Sequence, residues 1–280
     1  MGCTSVATAQ TDDAHSGKAT SPLYIRVGLG YGFVHPGQTD INGAGINGSE
    51  TLTGNSLSVE RKRGSFGTGL YADFAAGYMI NRNIGVELGV HAILAPTTYT
   101  YKGFVPQYNY SRSFVREMQA DLPVYLIPAV VLTTGDKLQF YGRAGLVLPL
   151  SDKLTVNETQ AGYSSPFQTT DVITTEIKNH FSIGFRGAGG MAYVLNKHLS
   201  VWGEISAISR NAYIKRSEIT AYTQDGQDAL PVFTTNQKVT EYDFETESEY
   251  PMPAAEPNKA PTFSLPFGTV GLAFGVKYAF

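Results

Sequence analysis

Residues 268–280, GTVGLAFGVKYAF, alternate strictly. Val270, Leu272, Phe274, Val276, Tyr278 and Phe280 share one face, and Gly271, Ala273, Gly275, Lys277 and Ala279 share the other. A period of two is the signature of an extended strand, whose successive side chains point to opposite sides. The same dyad recurs upstream. Leu23, Ile25, Val27, Leu29, Tyr31 and Phe33 oppose Arg26, Gly28, Gly30 and Gly32. In a second strand Phe66, Thr68, Leu70, Ala72, Phe74, Ala76, Tyr78 and Ile80 oppose Gly69, Tyr71 and Asp73, and in a third Ile84, Val86, Leu88 and Val90 oppose Glu87 and His91. Four more follow: Leu122 to Leu132, Leu138 to Leu148, Ile183 to Leu195 and Leu199 to Ala207. Pro123 and Pro128 fall in the fourth, where each removes a ladder donor, so bulges are expected there.

The connections alternate in length. Asn81-Arg82-Asn83, Gly135-Asp136-Lys137 and Asn196-Lys197-His198 are tight turns, whereas 35–65, 96–115, 151–181 and 211–267 are long polar loops. Eight amphipathic strands with a wholly apolar outer face need either a second layer to cover them or a lipid solvent. In lipid the sheet must close on itself, because an unpaired edge would leave backbone groups unsatisfied. The pattern therefore predicts an all-β, antiparallel up-and-down transmembrane barrel of eight strands. A ten-stranded version would use the runs 212–223 and 232–246 of the last loop. The second run carries Glu241, Asp243, Glu245, Glu247 and Glu249 on one face, which a bilayer would not accept, so it is expected as a hairpin above the membrane.

Composition agrees with this picture. Only 16% of the 280 residues are charged and the formal net charge is -3, which gives no case for nucleic acid as a partner. No run of eighteen apolar residues offers a membrane helix. The lone Cys3 precludes an intramolecular disulfide. Residues 1–21 read as a leader or signal-peptide remnant: they lack an apolar segment, yet Val6-Ala7-Thr8-Ala9 before Gln10 has the small residues of a cleavage site. The barrel is then expected over 22–280.

On these features the chain resembles the eight-stranded outer-membrane barrels of Gram-negative bacteria, of the OmpA transmembrane-domain and OmpX kind. The best-defined motif is the terminal strand ending Gly275-Val276-Lys277-Tyr278-Ala279-Phe280. It is similar to the assembly signal such proteins present to the barrel-assembly machinery, with Gly275, Tyr278 and Phe280 as its marks. The position before the glycine is usually polar in that pattern and is Phe274 here. The resemblance implies an integral outer-membrane location, long extracellular loops, short periplasmic turns, and contact with outer-membrane lipid and lipopolysaccharide.

Alternation assigns one charged residue per strand to the lumen: Arg26, Asp73, Glu87, Asp121, Arg143, Arg186, Glu204 and Lys277. An eight-stranded barrel holds only side chains inside, so four cations and four anions there are expected to neutralise one another and plug it, with Tyr71, Tyr125 and Tyr141 beside them. A narrow porin-like channel is the alternative. Outside the membrane, Arg61, Lys62 and Arg63 are candidates for lipopolysaccharide phosphates. Tyr99, Tyr101, Phe104, Tyr108, Tyr110 and Phe114 suit either packing of the loops or contact with a surface protein or glycan. The run 241–249 reads as solvated edge protection before it reads as a calcium site. Tyr78, Tyr193, Tyr278 and Phe280 should form an aromatic girdle at the turn side. His180-Phe181-Ser182 resembles the His-x-Ser piece of lipid A deacylases, but both residues fall on inward parity with no matching acid. No cofactor, metal or enzymatic activity is expected. The reading is a structural or surface-interaction barrel acting through its outer loops.

Overall fold

The computed structural model describes residues 22–34, 48–53, 56–107, 110–164, 167–245 and 253–280. The leader, Tyr108, Glu247 and Glu249 lie outside them. Eight strands close into an antiparallel barrel: β1 (Leu23–Val34), β2 (Gly69–Met79), β3 (Ile84–Pro96), β4 (Val124–Thr134), β5 (Leu138–Ser151), β6 (Gly184–Val194), β7 (Leu199–Ser209) and β8 (Thr269–Ala279). Neighbours in sequence are neighbours in the wall, and β8 returns to β1 in continuous register from Tyr24 opposite Ala279 to Val34 opposite Thr269. Eleven residues such as those of β2, tilted as in membrane barrels, climb about 28 Å, the height of a bilayer core.

The outer wall of this barrel is apolar and uncovered. Val27, Leu29, Phe74, Leu88, Phe140, Ile205, Leu272 and Phe274 all face out, Phe274 with 69% of its surface exposed. No other part of the described chain shields them, so the solvent that satisfies this face is lipid. Two glycines set how closely the wall can be packed from within. A Cβ on Gly28 or Gly275 would collide with the Trp202 indole, which fills the lumen between β1, β7 and β8.

Several expectations are corrected. Phe66 and Thr68, assigned to the lipid face of the second strand, precede β2 and are buried inside the loop-side mouth. Asp121, assigned to the lumen, precedes β4 and is exposed above the wall, where it accepts the Thr155 hydroxyl proton at 2.8 Å. Pro128 sits in β4 without a register break, opposite Leu88. The irregularity expected at the prolines is found beside Pro123, as a register shift between Val124 and Tyr125 that follows Leu122 in a left-handed conformation at φ 40°.

The long loops are not loops for most of their length. Five barrel strands, β3 to β7, continue beyond the wall as Tyr99–Gln107, Tyr110–Ala120, Leu154–Ser164, Phe167–Asn179 and Asn211–Gln224. These pair in the same lateral order, and Gly48–Thr53, Ser56–Arg61, Val239–Asp243 and Asn258–Pro261 extend the outer sheet at its two ends. The last long connection is therefore only partly the expected hairpin. Val239–Asp243 does pair with Asn211–Gln224, but it is preceded by a short helix, Thr235–Lys238, with a capping box at Thr234 and Gln237.

Candidate functional site

The lumen holds a closed network. Glu204 on β7 is its hub: Arg26 reaches it at 3.6 Å, Arg186 at 3.2 Å, and Arg143 donates to it directly. Arg143 also donates to Glu87 at 2.9 Å, and Arg26 lies 3.8 Å from the same carboxylate. Arg186 holds Asp73 through both nitrogens of its fork, at 2.9 and 2.7 Å. Three guanidinium groups thus face three carboxylates, every one of them almost fully buried. Burying a charge in so small a space is unfavourable by several kcal/mol unless paired, and bidentate geometry is the arrangement that offsets it.

Aromatic and imidazole groups complete the packing. Tyr24 donates to Glu87 at 2.7 Å, His91 Nδ1 lies 2.8 Å from Asp73, and the Arg26 guanidinium stacks 4.3 Å from the Trp202 ring. These three partners were not singled out by charge counting, although His91 was on the inward face; aromatic and imidazole groups carry no sign to count. Lys277 stands apart from the network at the turn end, with Nζ 3.2 Å from Gln139 and 5.4 Å from the Tyr24 ring. Two small cavities between these side chains measure about 20 and 30 Å³, each with room for one or two water molecules.

Above the network a second layer closes the mouth. Tyr71 packs at a tilt against His91, which stacks on Tyr125. Segments 65–68 and 264–267 fold inward and bind each other, Phe66 N–H to the Pro266 carbonyl at 2.9 Å. Phe66 and Phe267 meet with ring centroids 5.7 Å apart. Arg210, unremarked in the sequence because it lies between two strands, is buried between the Tyr125 and Phe267 rings and bonded to Asp152 and to the Ser182 carbonyl.

The lumen side of the outer sheet is apolar. Met118, Leu154, Val156, Ile177, Ile214 and Leu265 line a cleft of about 450 Å³, with the Arg116–Glu158 ion pair on the same face. Tyr99 and Tyr101 are buried here: Tyr99 donates to the Ser65 carbonyl at 2.9 Å and Tyr101 to Glu50 at 3.0 Å, so both tie loops together. Burial pushes the Tyr99 phenol above its ordinary value. Phe104 is exposed. Among the other expected sites, Arg61, Lys62 and Arg63 are exposed at the edge of the outer sheet, Lys62 3.5 Å from Glu60. Glu241, Asp243 and Glu245 are solvent-facing.

His180 and Ser182 do not meet as a pair. His180 Nε2 lies 3.2 Å from the Tyr242 carbonyl with its ring against Phe244, and Ser182 Oγ has no hydrogen-bond partner among the described residues. The strand is broken at 180–183, so alternation does not carry from β6 to His180. At the opposite end Tyr78, Tyr193, Tyr278 and Phe280 are exposed at the turn side, Tyr278 and Phe280 edge to face at 5.3 Å.

Solved structures with similar folds include the outer membrane protein OprG from Pseudomonas aeruginosa, at 11% identity and a TM-score of 0.43, covering 93% of this chain and 97% of that one. Others are AlkL in DMPC lipid bilayers, at 13% identity and 0.33, covering 97% and 96%, and Ail, the attachment invasion locus protein of Yersinia pestis, at 9% and 0.27, covering 92% and 96%. No curated protein matches the sequence. The family model of the outer membrane protein beta-barrel domain matches residues 1–228, and with its closed eight-stranded, lipid-facing wall the chain belongs to that family as an integral outer-membrane protein.

Proposed function

We propose that this protein is a non-conducting outer-membrane barrel whose task is done outside the bilayer, the barrel serving as anchor and the outer sheet as an interaction surface. The observation that carries this reading is the filling of the lumen: three guanidinium groups, three carboxylates and the Trp202 ring crowd it, and the cavities among them measure about 20 and 30 Å³. A conduit needs a continuous hydrated path, and salt bridges with two or more partners at each end would have to part together to open one. The outer sheet supports the second half of the reading, because nine paired strands above the wall are far more structure than a barrel needs for closure. The partner is a surface protein or glycan.

Two measurements test it. Purified protein in planar bilayers gives no steady single-channel steps, and regular ion-sized steps would replace the reading with that of a narrow channel. Photo-crosslinkers at Tyr163 and Val172, exposed on the outer sheet, give discrete higher-mass products in intact cells, whereas crosslinkers at the exposed wall residues Leu29 and Phe274 do not. Absence of any product from the outer sheet would count against an interaction role.

A further inference from the structure

The outer sheet is open, and its two ends differ. One end is Asn258–Pro261, four residues paired parallel with Val239–Asp243, with Lys259 exposed and a proline at its close. Lysine and proline are residues that keep an edge from pairing further. The other end is Ser56–Arg61, which pairs antiparallel with Gly48–Thr53, itself parallel to Tyr99–Gln107. All six of its residues are exposed, it contains neither proline nor glycine, and among the described residues no strand lies along its far side. Alternate N–H and C=O groups of such a strand point off the sheet and offer a template for one more strand.

Register fixes the chemistry of the strand this edge accepts. Gly48 is opposite both Tyr101 and Arg61, and Glu50 is opposite both Gly103 and Val59. Leu57, Val59 and Arg61 therefore share the lumen-side face with the buried Tyr101, which donates to Glu50. Thr51 is opposite both Phe104 and Ser58, so Ser56, Ser58 and Glu60 share the outward face. Leu57 keeps 61% of its surface exposed and Val59 42%, whereas the same face of the sheet is buried at Met118, Leu154 and Val156. The edge is amphipathic, and its apolar side lacks the neighbour that would shield it. Its barrel-ward end is basic. Arg61 is exposed and forms no ion pair among the described residues, and it is followed by Lys62, which lies 3.5 Å from Glu60. An antiparallel strand laid along this edge sets its apolar residues beside Leu57 and Val59 and its first residues beside Arg61, where charge favours carboxylates.

We propose that Ser56–Arg61 receives an extended segment of another protein, which adds to the outer sheet as an antiparallel strand with alternating apolar residues and carboxylates at its N-terminal end. This rests on the reading of the outer sheet as an interaction surface and names the mode of contact. The test uses the full chain folded in detergent and a fluorescein-labelled peptide, Glu-Glu-Thr-Val-Thr-Val-Thr, whose second Glu and two Val fall opposite Arg61, Val59 and Leu57. Anisotropy shows saturable binding, and hydrogen exchange slows at 56–61 but not at 258–261. N-methylation reads main-chain pairing. Methyl groups on the third and fifth amides, or on the fourth and sixth, block opposite edges of the peptide, so one methylated peptide loses binding and the other keeps it. L57N/V59N weakens binding about tenfold through two lost cross-strand pairs, and R61Q/K62Q about threefold. K259Q, at the other end of the sheet, binds as wild type. Unchanged heat-dependent gel mobility shows that each variant is folded, and these side chains are exposed. Equal binding by both methylated peptides, equal loss by both, or wild-type affinity in L57N/V59N overturns strand addition. So does displacement of the peptide by lipopolysaccharide without protection at 56–61, which would mark a polyanion site. Discrete crosslinks from Tyr163 and Val172 without these peptide effects leave the interaction surface standing and overturn this edge alone.

Discussion

Five of the eight wall strands continue into the outer sheet, and the two regions wear their polarity in opposite senses. In the wall the outer face is Leu29, Phe74 and Phe274 while the inner face is Arg26, Glu87, Arg186 and Glu204. In the outer sheet the inner face is Met118, Leu154, Val156 and Ile214, and the outer face is Lys153, Lys178 and Glu241. The change happens at 97–98, 121–123, 152–153, 180–183 and Arg210, where every one of the five strands is interrupted. At three of these interruptions the alternation also changes phase: inward residues are odd in β4 and β5 and even in β6, but even in Tyr110–Ala120 and Leu154–Ser164 and odd in Phe167–Asn179. The solvent outside decides which face takes the apolar residues. Lipid takes them on the outer face, and water forces them inward.

The comparison is broken most severely at the hub. Glu204→Gln leaves three buried guanidinium groups with two carboxylates, and about 3–5 kcal/mol of stability should be lost, read as a lower urea midpoint in vesicles. The same exchange at Glu158, whose Arg116 partner is partly solvated, should cost about 1 kcal/mol or less. Equal effects would mean that the lumen is wetter than its packing implies.

Next in size is the outer face itself. Phe274→Arg, half-way along β8, should destabilise by about 2–4 kcal/mol in a bilayer. Val172→Arg, exposed on the outer sheet, should stay within about 0.5 kcal/mol. If the two shift stability equally, the boundary between lipid and water is not at the interruptions.

A smaller cut separates the two regions. Ile214→Val removes one methyl group from the core of the outer sheet and should cost about 0.5–1.5 kcal/mol there. Hydrogen exchange should speed up in Asn211–Gln224 and Phe167–Asn179 while β6 and β7 keep their protection. The smallest effect is alkaline. The Tyr99 phenol has its folded value raised, so its contribution is intact below the unfolded value of about 10 and is lost as pH rises through the folded one. Tyr99→Phe should flatten that loss above about pH 10, followed by tyrosinate absorbance and the unfolding midpoint together.

Legibility in the sequence followed the same boundary. The lipid-facing residues from Leu23 to Phe33 and from Val270 to Phe280 could be read directly, because a bilayer tolerates almost no departure from alternation on that side. Above the interruptions the rule relaxes. Phe66 and Thr68 continued the parity of β2 and still turned inward, and Asp121 continued that of β4 and turned out, because Leu122 takes a left-handed turn between it and the strand. His91 and Trp202 were on the inner face by parity, yet their roles depend on which charge faces them across the lumen.

The sequence by itself determined the number of barrel strands and, within the wall, which side chains meet lipid and which charges apart from Asp121 are enclosed, since each follows from a local period of two and a short turn. Only the tertiary structure decided that Glu204 gathers three arginines, that Phe66, Phe267 and Arg210 seal the mouth, and that Ser56–Arg61 ends the outer sheet. Those depend on register between strands far apart in the chain, which is set by closing the barrel and by breaks in the strands that no local period records.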